Sequence, residues 1–83
     1  MRVMVLVKAT PDSETGLFPE PWTSQMMAAM GRYNDALRDA GILIAADGLT
    51  PTSQGKRIAF DGADRAVIDG PFTPSHDQVA GFW

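Results

Sequence analysis

One amphipathic stripe sets the terms for this chain. Trp22, Met26, Met30, Tyr33, Leu37 and Ala40 recur at spacings of four, four, three, four and three, the period that places side chains on one face of an α-helix. Gln25, Arg32, Asn34, Asp35, Arg38 and Asp39 fall on the opposite, solvated face. Thr23 or Ser24 can cap the start, and Gly41 stands where a C′ glycine ends a helix, so a helix is predicted over residues 23–40. Gly31 lies inside it at a cost of about 1 kcal/mol against alanine and permits a close approach to a sheet.

That sheet is written on both sides of the helix. Val3 to Val7 is continuously apolar and rich in β-branched residues, and reads as a central strand buried on both faces, or on one face and in an interface. A signal h-region would need a longer run and a clean small-residue cleavage site. Thr10 to Pro21 carries three prolines, a glycine and three acidic residues and reads as a surface loop. Ile42 to Ala46 is a second apolar run, closed by Asp47-Gly48. Lys56 to Phe60 and Arg65 to Asp69 alternate about Asp61-Gly62-Ala63-Asp64, the pattern of a hairpin with Ile58 and Phe60 on one face. Asp69-Gly70-Pro71-Phe72 breaks it sharply, and Gln78 to Trp83 reads as a last strand. The order is β-α-β-hairpin-β in a single domain over residues 1–83, an α+β class, with a helix after the first strand that permits a right-handed crossover to a parallel neighbour.

Composition narrows the partners. A chain of 83 residues buries only about 60% of the surface its unfolded form exposes. It has no cysteine and one histidine, so neither a disulfide nor a zinc site of Cys and His ligands adds stability. Oligomerisation is the remaining source, and a homodimer or higher oligomer is expected. The net charge of −3 argues against nucleic acid and anionic membrane as partners. No apolar run approaches the length of a bilayer span, and cytoplasmic residence is the expectation. Gly48, Gly55 and Gly62 are spaced wrongly for a dinucleotide or phosphate loop. No metal and no cofactor are expected.

Three stretches carry a family resemblance. They are Met1-Arg2-Val3-Met4-Val5-Leu6-Val7-Lys8, then Ala40-Gly41-Ile42-Leu43 through Asp47-Gly48-Leu49-Thr50-Pro51-Thr52-Ser53, and Val67-Ile68-Asp69-Gly70-Pro71-Phe72 followed by Ala80-Gly81-Phe82-Trp83. In this order the chain resembles the DGPF branch of the YCII-related proteins along essentially its whole length. The resemblance implies a ferredoxin-like fold of the dimeric α/β barrel type, in which two sheets face each other across a two-fold axis, with the hairpin at 56–69 as an insertion between core strands. Family members usually continue past Gly-Phe-Trp into a second helix and a final strand, which are expected to be lacking here. After Phe72 the family commonly has Ala-Glu-Thr-Lys-Glu, where this chain has Thr73-Pro74-Ser75-His76-Asp77. Some relatives resemble partners of extracytoplasmic-function sigma factors by association, which implies a regulatory role.

Each candidate site residue has a plain structural reading beside its chemical one. Asp69, Gly70, Pro71 and Phe72 fit turn chemistry, an Asx-turn carboxylate followed by a permissive glycine and a fixing proline; as a site, they line a ligand pocket at the sheet's end. His76 is the one group suited to near-neutral proton transfer, yet Ser75-His76-Asp77-Gln78 has the form of a capping box that leaves it exposed. The His-Asp pair proposed for some YCII-type relatives uses a histidine on the first helix, and the helix here has none. Asp47 is a pocket carboxylate or a turn residue. Lys8, Lys56 and Arg57 gather near strand ends for an anion, or the latter two protect a strand edge. Met26 and Met30 read as core. Three functions follow: a ligand-binding or regulatory accessory module, a small-molecule lyase or isomerase using Asp69, Asp47 and His76, or a structural fragment. Whether the chain is an enzyme stays open at this level.

Overall fold

A computed structural model describes residues 1–83, and its elements run β1 (Leu6–Lys8), α1 (Pro11–Thr15), α2 (Trp22–Asp39), β2 (Asp47–Gly48), β3 (Lys56–Asp61), β4 (Asp64–Asp69) and β5 (Val79–Phe82). Short 3-10 turns occupy Thr52–Gln54 and Ser75–Asp77. The mixture of helix and antiparallel sheet is the α+β class expected. β5 sits between β1 and β2 and is antiparallel to both, so β1 and β2 run parallel to one another on either side of it. β3 and β4 form a separate two-stranded sheet. No helix is long and apolar enough to cross a membrane.

The first strand is not central. It is an edge, Leu6–Lys8, prolonged by the mutual backbone bonds of Val5 and Trp83 at 2.9 and 3.0 Å, and its residues are exposed rather than buried on both faces. The centre belongs to β5, where Gly81 makes room: a Cβ there would stand 3.0 Å from the Asp47 carbonyl oxygen. The second strand also shifts. Pairing begins at Asp47, opposite Phe82, and Ile42 to Ala46 carries no strand assignment. Residues 42–45 lie beyond the paired part of β5, so their apolar character has no ladder to join.

The long helix is nearly where the stripe puts it, but its start is capped differently. Neither Thr23 nor Ser24 takes the cap position, which falls on Pro21. Instead the Glu20 carboxylate accepts from the backbone N–H of Ser24 at 3.3 Å and from its hydroxyl at 2.8 Å, a negative charge where the helix dipole favours one. At the other end Gly41 adopts φ 72. Its N–H donates to Arg38 O at 2.9 Å, and that of Ile42 donates to Leu37 O at 3.1 Å, which together make a Schellman stop.

The stretch expected as a loop holds a one-turn helix, α1. Thr10 is its N-cap, Pro11 its first residue, and the Thr10 and Ser13 side chains accept from each other's backbone N–H at 3.1 and 2.8 Å, a reciprocal capping box. Side chains from α2 then hold the sheet. The Trp83 Nε1–H donates to Asn34 Oδ1 at 2.6 Å, and Tyr33 meets the Trp83 ring edge-on with centroids 5.4 Å apart. Alternation along the strands puts Val5, Val7 and Gly81 on the Trp83 side and Met4 and Leu6 on the other.

This assembly leaves much apolar area in water. Ala9 and Gly81 are the only buried residues. The accessible surface is 6513 Å², whereas size scaling gives about 4,800 Å² for a compact chain of this mass. The radius of gyration is 16.0 Å against roughly 12 Å for a compact domain of this length. The excess surface is roughly 1,700 Å² on the same scaling.

Candidate functional site

The helix and the sheet do not close fully on one another. Between α2, the α1 segment, β2 and β5 lies a cleft of about 490 Å³, within the range of small-molecule sites. Met26 and Met30, one turn apart on α2, form its helix wall, and Phe18 and Leu49 add apolar surface. The two methionines, expected as core, are half-buried around an open space. Asn34, one turn beyond Met30, brings an amide to the wall and spends its oxygen on Trp83.

A carboxylate stands at the α1 end of this cleft. Glu14 accepts the backbone N–H of Thr52 at 3.2 Å through Oε1 and the Thr52 hydroxyl through Oε2. The same hydroxyl oxygen accepts the backbone N–H of Phe72 at 2.9 Å. One threonine side chain therefore ties α1, the 52–54 turn and the strand exit at 70–72 into a single joint. Gly70 is required there: a Cβ would fall 1.7 Å from the Thr52 carbonyl oxygen, and the Gly70 N–H donates to Gly55 O at 3.0 Å.

The residues singled out in the sequence are distributed over several places. Asp47 lines the cleft at its β2 edge. Asp69 closes β4 and forms an ion pair with Lys56 across the hairpin, its side chain 74% exposed, and no backbone N–H reaches it as an Asx-turn would require. Phe72 carries the Arg57 guanidinium 4.3 Å above its ring, while Pro71 is exposed. Asp69 to Phe72 thus form the hinge of the hairpin and contribute nothing to the cleft lining. Lys8 ends β1 in the three-stranded sheet, whereas Lys56 and Arg57 open β3 of the separate hairpin. His76 sits in the 75–77 turn with its side chain 77% exposed and Nε2 3.6 Å from Asp77 Oδ1. No group of three or more His, Cys, Asp or Glu residues is gathered to hold a metal ion.

Three residues that shape the site were not singled out as candidates: Glu14, Asn34 and Thr52. Thr10-Pro11 with Ser13 three places on was a legible start signal for α1. Nothing local could show that Glu14 meets Thr52, which lies 38 positions away.

No curated protein and no solved structure matches this sequence. The family profile of the YCII-related domain matches residues 1–83, the whole of the chain.

Proposed function

The chain belongs to the YCII-related domain family, and we propose that it works in the cytoplasm as a homodimeric, ligand-binding or regulatory accessory module. The observation that carries this reading is the open apolar cleft between α2 and the sheet, with Asp69 and His76 outside its lining. An acid–base enzyme of lyase or isomerase type needs its proton-transfer groups within reach of one bound molecule. Of the three groups expected to serve that role, Asp47 alone borders the cleft.

A ferredoxin-like, dimeric α/β barrel arrangement goes with the proposal. Its support is the order β1-β5-β2 with parallel outer strands and the apolar side chains Met4 and Leu6 exposed on the sheet side turned from Trp83. The excess surface supports a second copy as the cover. Standard interfaces bury about 800 Å² on each partner, and obligate dimers bury more, so roughly 1,700 Å² beyond a compact chain matches an obligate interface. One study tests both halves. Light scattering over a dilution series should give twice the 8.9 kDa chain mass. A small-molecule panel should yield compounds that raise the melting temperature of the native chain but not of Met30→Trp, whose indole fills the cleft. A monomer at every concentration refutes the dimer. Equal shifts in both proteins refute the cleft as the site.

A further inference from the structure

We propose that the β3–β4 hairpin is an arm whose Ile58–Phe60–Val67 face closes on a second copy of this chain, an inference that rests on the homodimer reading above. The hairpin's two strands pair from Lys56 opposite Asp69 to Asp61 opposite Asp64. Directly opposed residues share a face, so one side presents Ile58, Phe60, Val67 and Arg65, with the Lys56–Asp69 ion pair at its base. Every residue of both strands is exposed, and Phe60 is 71% exposed.

A two-stranded hairpin is marginal in water without something packed on it. This one is held to its own subunit only at the root, through Gly55, Gly70, Thr52 and Phe72. The apolar strip has the anatomy of a contact patch. Arg65 stacks 4.5 Å from the Phe60 ring at the tip, the ion pair bounds the base, and polar groups rim an apolar centre as they do at protein interfaces.

Two observations point to a second copy as the occupant. The excess area of the chain exceeds the roughly 800 Å² per partner of a standard interface, which leaves surface for the arm as well as for the sheet. A two-fold dimer applies each contact twice, so both arms are covered by one association. Charge agrees. Residues 56–69 hold three cations (Lys56, Arg57, Arg65) and three anions (Asp61, Asp64, Asp69). The net −3 therefore lies entirely on the rest of the chain, and a neutral arm approaches an acidic copy without added repulsion.

The absence of cysteine makes the test direct. Dimer dissociation constants are measured by sedimentation for the native chain and for Phe60→Ser, a change at an exposed position that should leave each subunit folded by circular dichroism. In parallel, Ala63→Cys at the hairpin tip carries a nitroxide, and labelled chains are mixed with unlabelled, isotope-enriched ones. The expected results are a dissociation constant raised about thirtyfold, the scale of a buried aromatic hot spot, and line broadening in the unlabelled chains. A dimer with the same dissociation constant in Phe60→Ser and no inter-chain broadening overturns the arm and leaves the dimer standing. A chain that is monomeric throughout overturns both.

Discussion

Adding one methyl group at Gly70 should have the opposite effect to adding one at Gly31. In Gly70→Ala the new Cβ meets the Thr52 carbonyl oxygen at 1.7 Å and its carbonyl carbon at 2.7 Å. Both are backbone atoms, so no rotamer change relieves the clash and the 52–54 turn must move away from the strand exit. Overpacking of this kind costs about 1–3 kcal/mol. The displacement also strains the bond from the Phe72 N–H to the Thr52 hydroxyl, worth about 1 kcal/mol. The total, about 2–4 kcal/mol, lowers the melting temperature by roughly 10–25 °C in a domain of this size. At Gly31 an added Cβ meets nothing within 4 Å, and the residue lies inside α2. Gly31→Ala should therefore stabilise the chain by up to about 1 kcal/mol through helix propensity alone. Urea unfolding of both variants at one fixed protein concentration, which removes mass-action differences between oligomers, reads the pair together. A Gly70→Ala midpoint equal to that of the native chain would show that the Thr52–Phe72 joint is not close-packed as described.

Thr52→Val removes a hydroxyl that donates to Glu14 and accepts from Phe72. It should cost about 1–3 kcal/mol by leaving partners unmet, with faster hydrogen exchange at the Phe72 amide as its local sign. Trp83→Phe keeps a ring near Tyr33 but deletes the donor to Asn34; a loss of about 1 kcal/mol, measured by urea unfolding, is expected. Lys56→Ala breaks an exposed ion pair and should change the unfolding free energy by less than about 1 kcal/mol. His76→Ala should leave both the melting temperature and any ligand-induced shift unchanged, because the side chain stands in solvent outside the cleft.

What was legible in the sequence was local. The α2 stripe and its glycine stop are written in residues a few places apart, and so is the hairpin, where Ile58, Phe60 and the Asp-Gly turn lie within one short stretch. Strand position was less legible. Val3 to Val7 announces extended backbone, but whether it lies at the centre or the edge depends on residues 79–83 at the far end. Apolar content misplaced the second strand, because register and not hydrophobicity decides which residues pair. The composition of 10–21 masked α1, since its prolines outweighed a capping box with serine in the place usually held by glutamate or glutamine. At the site, Asp47 could be read from its place in the family resemblance, where an acidic residue precedes Gly-Leu. Glu14 and Asn34 could not, because each becomes part of the cleft only through a contact made across the fold.

The central position of β5 also orders events in time. β1 and β2 touch the sheet only through β5, and the pairs Leu6 with Phe82 and Lys8 with Val79 join positions far apart in the sequence. A nascent chain that has not yet released residue 79 can coil its long helix and zip its hairpin, both local and fast, but it has no ladder to lay them on. Assembly of the sheet waits for residues 79–82 to arrive. Such distant pairing slows folding and leaves the backbone of Val5 to Lys8 without its ladder partners until it happens.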